Sequence, residues 1–209
     1  MVVTIKMVPV VLMLGMSTIL AGCSEFQTSY SSASPAAART EWRVAKVRVI
    51  VPDSLKATEE NSFIPAADIV WHGDPAGDRK AQVAAIVQAG VEQGFAGLKG
   101  RESVVATVTL RRFHALTPRA FERAPSGTGV HSVRFDLQIN DARTGALLAG
   151  PVTFDADTPA YVAADIKDST TINPGRMWKA QIERHVADTI RSWLGTGPDV
   201  RQQFGRAGG

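Results

Sequence analysis

VHSVRFDLQIN, residues 130–140, decides the fold. Val133, Phe135, Leu137 and Ile139 alternate with Arg134, Asp136 and Gln138, the period-two pattern of a strand with one face packed and one face wet. The next five residues, Asp141-Ala142-Arg143-Thr144-Gly145, predict a hairpin loop with glycine where a positive φ is needed. Leu148, Val152 and Phe154 return on the paired strand, and Pro151 predicts that this strand lies at an edge. Upstream, VVATVTLRRF at 104–113 is rich in β-branched residues and predicts a third strand. In WRVAKVRVIV at 42–51, Val47, Val49 and Val51 alternate with Lys46 and Arg48, giving a first strand that Pro52 ends. Residues 68–71, DIVW, suit a short strand.

Two stretches carry the helical period instead. Val83, Ile86, Val87, Val91, Phe95 and Leu98 recur at steps of three and four, with Asp78 as the N-cap and Gly100 as the stop; Asp74 with Pro75 is an alternative start. Gly90, Gly94 and Gly97 each weaken such a helix by about 1 kcal/mol relative to alanine, which predicts a close approach to a sheet. The second stripe is Trp178, Ile182, Val186, Ile190 and Trp193, opened by Asn173-Pro174 and closed by Gly195. The expected fold is α+β, a two-layer sandwich with an antiparallel sheet of about four strands and two helices on one face. The folded domain is expected over 42–195, with a disordered tail at 196–209.

The N-terminus carries an address. An apolar run from Met7 to Leu20 follows Lys6 and ends in Leu20-Ala21-Gly22-Cys23. At 14 residues the run is short of the ~20 that span a bilayer, and it has the form of a secretory signal, 1–22, cut between Gly22 and Cys23. The end of this signal resembles the bacterial lipobox. The resemblance implies that Cys23 carries a diacylglyceryl group and palmitate-type chains, which hold a protein stably where a single chain does not. Cys23 is the only cysteine, so no disulfide is expected in the mature chain. Ser24, rather than Asp, follows it, and under the sorting rule implied by the same resemblance this favours the periplasmic face of the outer membrane. Residues 23–41 read as the lipidated terminus and a Ser/Ala-rich linker. Its 17 residues from 24 to 40 would span about 20–25 Å as a random coil.

Composition excludes more than it assigns. Removal of the signal leaves 187 residues with 22 basic and 20 acidic side chains, scattered along the chain. Such a balance is no nucleic-acid footprint. There is no Gly-x-Ser-x-Gly elbow, phosphate loop or His-Glu-x-x-His, and no free thiol to act as nucleophile.

The densest polar cluster is Asp68, His72, Asp74, Asp78 and Arg79. Imidazole and carboxylate are ordinary metal ligands and acid–base partners. The competing structural account has Asp74 and Asp78 capping a helix, Trp71 packed, and Arg79 paired with an acid. His114 and His131 flank the loop at 117–129, and a hairpin there would bring the two rings together. His185 is expected at the boundary of the second helix. Arg111, Arg112 and Arg119 suit either anionic groups or a solvated strand face.

DIVWHGDPAGDR at 68–79, RFHALT at 112–117 and DARTG at 141–145 resemble an uncharacterised lipoprotein family of alphaproteobacteria, a domain of unknown function. The resemblance spans most of 42–194 and implies no activity. The functional expectation is a non-enzymatic, lipid-anchored accessory or binding protein of envelope assembly or transport, with an envelope protein as partner and no cofactor. Its candidate binding residues are His72, Asp74, Asp78, Arg79 and His114. The alternative is a periplasmic hydrolase or metal-dependent enzyme built on the His72/Asp74 loop.

Overall fold

The computed structural model describes residues 26–125, 127–160 and 173–205. Along the chain run β1 (Phe26–Tyr30), α1 (Ala38–Glu41), β2 (Trp42–Ile50), β3 (Ala57–Thr58), β4 (Ile69–Val70) and α2 (Arg79–Phe95). They are followed by β5 (Glu102–His114), α3 (Pro118–Arg123), β6 (Val130–Asp141), β7 (Leu147–Ala156), β8 (Thr158–Pro159), α4 (Pro174–Leu194) and β9 (Gln202–Phe204).

The strands form one nine-stranded mixed sheet in the order β3-β4-β5-β6-β7-β1-β9, with β2 also on β5 and β8 also on β6. This corrects the expectation of about four antiparallel strands and two helices: the described residues hold nine strands and four helices. One reason is the crossover. β2 passes through α2 before reaching β5, and a strand–helix–strand connection returns the chain in the same direction. β2 accordingly runs parallel to β5, from Trp42 opposite Glu102 to Ile50 opposite Thr109. β3, β4 and the end of β5 are parallel as well.

The other reason lies at the ends of the chain. Residues expected as linker form β1, which pairs antiparallel with β7 (Thr28 opposite Ala156). The expected tail forms β9, which pairs with β1 (Phe26 opposite Phe204). Phe26 and Phe204 stack with ring centroids 6.2 Å apart. FQTSY and QQF are too short and too polar to show an alternating stripe, so only the neighbouring strand makes them strands. β1 also means that β7 is not an edge along its whole length: β1 covers Phe154 to Ala156, and Pro151 sits on the uncovered half.

The β6–β7 hairpin turns on Asp141 to Gly145. Gly145 adopts φ +74°, and Asp141 Oδ1 accepts from Arg143 N (3.1 Å) and from the Thr144 hydroxyl (2.6 Å). α2 begins at Asp78, whose Oδ1 accepts from Ala81 N at 3.1 Å. α4 begins at Asn173, whose Oδ1 accepts from Arg176 N at 3.1 Å, and ends at Gly195 with φ +68°.

The apolar stripes of both helices are buried with Val104, Ala106, Val108, Leu110, Phe113, Val133, Phe135, Leu137 and Ile139 of the central strands. The glycines of α2 serve the second helix rather than the sheet. A Cβ on Gly90 would lie 2.8 Å from Glu183 O, and one on Gly94 would lie 2.6 Å from Ile190 Cβ. Gly97 has nothing near it. Gly94→Val is therefore expected to cost about 2 kcal/mol or more by overpacking, well above the roughly 0.4 kcal/mol of helix propensity that valine regains over glycine. Chemical denaturation with an unchanged slope would show it.

Candidate functional site

The polar cluster expected around His72 is committed to structure. Asp68 Oδ2 accepts from Lys56 N at 2.8 Å. Asp74 Oδ2 accepts from the Trp71 indole at 2.8 Å, and its other oxygen stands 3.6 Å from Lys179. Asp78 caps α2. Arg79 is buried; its guanidinium donates to both oxygens of Glu59 (2.7 and 2.9 Å), to the carbonyls of Asp74 and Pro75, and to Gln82. The bonded Arg79 holds the Glu59 carboxyl below its ordinary range. His72 Nε2 is buried with no partner. Among the described residues no group of three or more His, Cys, Asp or Glu is placed to hold a metal ion. Asp78→Ala is expected to lower stability by about 1 kcal/mol through the lost cap and to leave ligand binding unchanged. A thermal melt beside a binding assay checks both.

The two strand-end histidines do not meet. His114 pairs with Ser132 across β5 and β6, so side chains at those two positions share a face while His131, the next residue, takes the other. The Ala67 carbonyl is 2.6 Å from His114 Nε2, and burial lowers the pKa of that ring. His131 is fully buried beside Trp178, with ring centroids 6.1 Å apart. The strand-face arginines are matched to acids: Arg111 with Asp136 (2.6 Å), Arg134 with Asp155 (3.4 Å) and Arg112 with Asp157 (3.8 Å).

What the structure does build is an apolar cleft of about 250 Å³ where β5 ends. Val70, His114, Leu116, Ala120, Val130 and Ser132 line it. Phe26 and the buried Pro65 also line it, and the exposed Phe63 and Ile64 stand at its rim. Phe63 and Ile64 are adjacent in the chain and 51% and 64% exposed. α3 shapes the wall because Thr117 caps it: the Thr117 side chain accepts from Ala120 N and donates to Ser62 O, which ties α3 to the rim segment.

Among the cleft's polar groups, His114 and Thr117 are bonded as above, and the Thr128 hydroxyl donates to Pro125 O at 2.7 Å. Ser132 is 3% exposed, and its hydroxyl lies beside the Asp157 carboxylate. Arg112 Nη2 stands 3.8 Å from Asp157 Oδ1, and the buried Arg112 Nε makes no hydrogen bond. Burial raises the Asp157 pKa against the pull of Ser132, the Gln27 amide and Arg112.

Of the sequence-predicted residues only His114 belongs to this cleft; His72, Asp74, Asp78 and Arg79 do not line it. Cys23 and Gly22 lie outside the described residues. The one sequence signal for the cleft is the adjacent pair Phe63-Ile64 inside the otherwise polar connection at 54–67.

A model of a family of unknown function, DUF6778, matches residues 42–209. The chain belongs to this family. The match takes in β9, which the expected boundary at residue 195 left out, and begins after β1. Three solved structures are similar to this DUF6778 chain. A candidate lipoprotein of Caulobacter crescentus is 11% identical over 73% of this chain and 93% of its own, with a TM-score of 0.37. PelC of Paraburkholderia phytofirmans, solved as a dodecamer, is 11% identical over 80% and 97%, with a TM-score of 0.37. A Xanthomonas campestris protein of the DUF330 family is 12% identical over 79% and 91%, with a TM-score of 0.41. Likeness at these scores carries no functional argument. No curated protein matches the chain.

Proposed function

We propose that this DUF6778 chain is a non-enzymatic lipoprotein of the cell envelope, anchored through Cys23 at the periplasmic face of the outer membrane, where it binds an apolar ligand or partner segment as an accessory to envelope assembly or transport. The single observation that carries the reading is the apolar cleft, which offers contact area and almost no group able to do chemistry. Pockets with apolar walls and few polar atoms bind by excluding water. No helix among the described residues is long and apolar enough to cross a membrane, so the Cys23 anchor supplies the membrane attachment in this reading.

The domain sits closer to that anchor than a linker would allow. β1 starts at Phe26, three residues after Cys23, whereas a 17-residue coil would let the domain float about 20–25 Å away.

Metabolic labelling with an alkyne-tagged palmitate, followed by fractionation, tests the anchor. Labelled protein should follow the outer membrane, and Cys23→Ala should lose both label and membrane. An unlabelled wild-type chain in the soluble fraction would sink the reading.

A further inference from the structure

We propose that the cleft is an acyl-chain site, and that it takes one fatty chain of a phospholipid from the bilayer to which Cys23 holds the protein; this rests on the lipid-anchored reading above. The cleft wall has little to offer a polar ligand. His114, Thr117 and Thr128 already spend their polar atoms within the protein, and the remaining surface is that of Val70, Leu116, Ala120 and Val130. Ser132 is the remaining polar group, a buried hydroxyl that lies beside the Asp157 carboxylate.

The rim identifies where the ligand comes from. Phe63 and Ile64 are adjacent, large, apolar and more than half exposed, and the Arg119 guanidinium stands over the Phe63 ring at 5.5 Å. An aromatic and an aliphatic tip beside an arginine suits the boundary of a membrane, where the apolar parts enter the acyl region and the cation stays among the headgroups. Covalent reach makes the same point independently. Phe26 lines the cleft, and three residues from Cys23 span at most about 11 Å when fully extended. The headgroup layer of one leaflet is about 5–8 Å thick. An acyl chain moving from the leaflet into the cleft therefore has almost no water to cross.

The test uses the full-length acylated protein in vesicles of phosphatidylethanolamine and phosphatidylglycerol, with a fraction of the phosphatidylethanolamine carrying a diazirine near the end of one acyl chain. After illumination, adducts are expected on the peptides holding Leu116, Val130 and Ser132. They should fall at least tenfold in Ala124→Trp, which places an indole in the cleft, and severalfold in Ile64→Asp, an exposed rim change that leaves the fold intact by circular dichroism. Adducts confined to Phe63 and Ile64, or undiminished in Ala124→Trp, would overturn the proposal. A second arm adds the non-acylated Cys23→Ala chain to the same vesicles. Cleft adducts there but not in the acylated protein would mean that the anchor's own chain fills the site, which overturns the phospholipid source. Cleft adducts from a wild-type chain whose Cys23 proves unmodified by mass would support the site while removing the anchor.

Discussion

Phe154→Ala is expected to cost about 3–5 kcal/mol, the usual range for deleting a fully buried phenylalanine. The position warrants the upper end. Phe154 has no exposed surface, lies flat on Phe135 (centroids 5.1 Å, 6° between planes), meets Trp193 of α4 edge-on at 5.6 Å, and touches Tyr30 of β1 at 6.0 Å. One ring thus joins two central strands, a helix and the N-terminal strand. Domains of this size are held by only about 5–15 kcal/mol, so the variant should melt far below the wild type in a denaturant titration and bind more of a hydrophobic dye. A loss under 1 kcal/mol would mean that the site collapses around the missing ring, and that the aromatic contacts do not join the layers.

Acidification should unfold the protein through His131. The ring is fully buried, no hydrogen bond reaches either nitrogen, and burial pushes its pKa down to about 3. Gln181 lies beside it and offsets only part of this, since its amide donates to Pro159 O at 2.7 Å. His185, facing it from α4, is pushed down by burial as well; its Nε2 is 3.0 Å from the Thr28 hydroxyl, and Asp188 and the backbone of Asp157 pull the other way.

The sign follows from linkage. Above about pH 6.5 both folded and unfolded chains hold the imidazole neutral and nothing is lost. Below it the unfolded chain takes up a proton that the folded chain refuses, so stability falls as pH falls, by about 1.4 kcal/mol per pH unit for each such histidine, until the folded pKa near 3 is reached. For His131 alone that sums to about 4–5 kcal/mol. Asp157, raised by burial, acts in the opposite sense, because the folded chain then takes up that proton before the unfolded chain does. Denaturation curves from pH 7 to pH 4 should show the slope, and His131→Leu should flatten it by about one proton. A stability independent of pH over that interval would rule the mechanism out.

Both expectations concern residues whose burial the strand pattern announces. Val133, Phe135, Leu137 and Ile139 declare their face through alternation, and His131 falls on that face by counting back in twos, although the sequence says nothing about which helix covers it. The candidate site was much less legible. Asp74, Asp78 and Arg79 drew notice because polar residues cluster there in sequence, yet clustered polar residues are also what a helix start requires for its unpaired amides. Asp78 does that work here, while Asp74 holds the Trp71 indole and Arg79 pairs with Glu59. The cleft gathers Phe26, Phe63, Val70, Leu116 and Val130 from five separate stretches, and no short-range pattern marks residues that meet only after the sheet has formed.

Local chemistry alone determined α2, α4, the β6–β7 hairpin and the central strands, because their periods, caps and turn glycine act within a few residues. Tertiary structure decided the rest. β1 exists because β7 offers an unpaired edge, and β9 because β1 in turn does, both being polar segments with no stripe of their own. β2 is parallel because α2 carries the chain back across the sheet. Gly90 and Gly94 are glycines because α4, some ninety residues further on, presses against them. Hydrogen-bond pairing and close packing between distant segments are properties of the assembled chain, and they are what gather Phe26, Val70, Leu116 and Val130 around one apolar cleft.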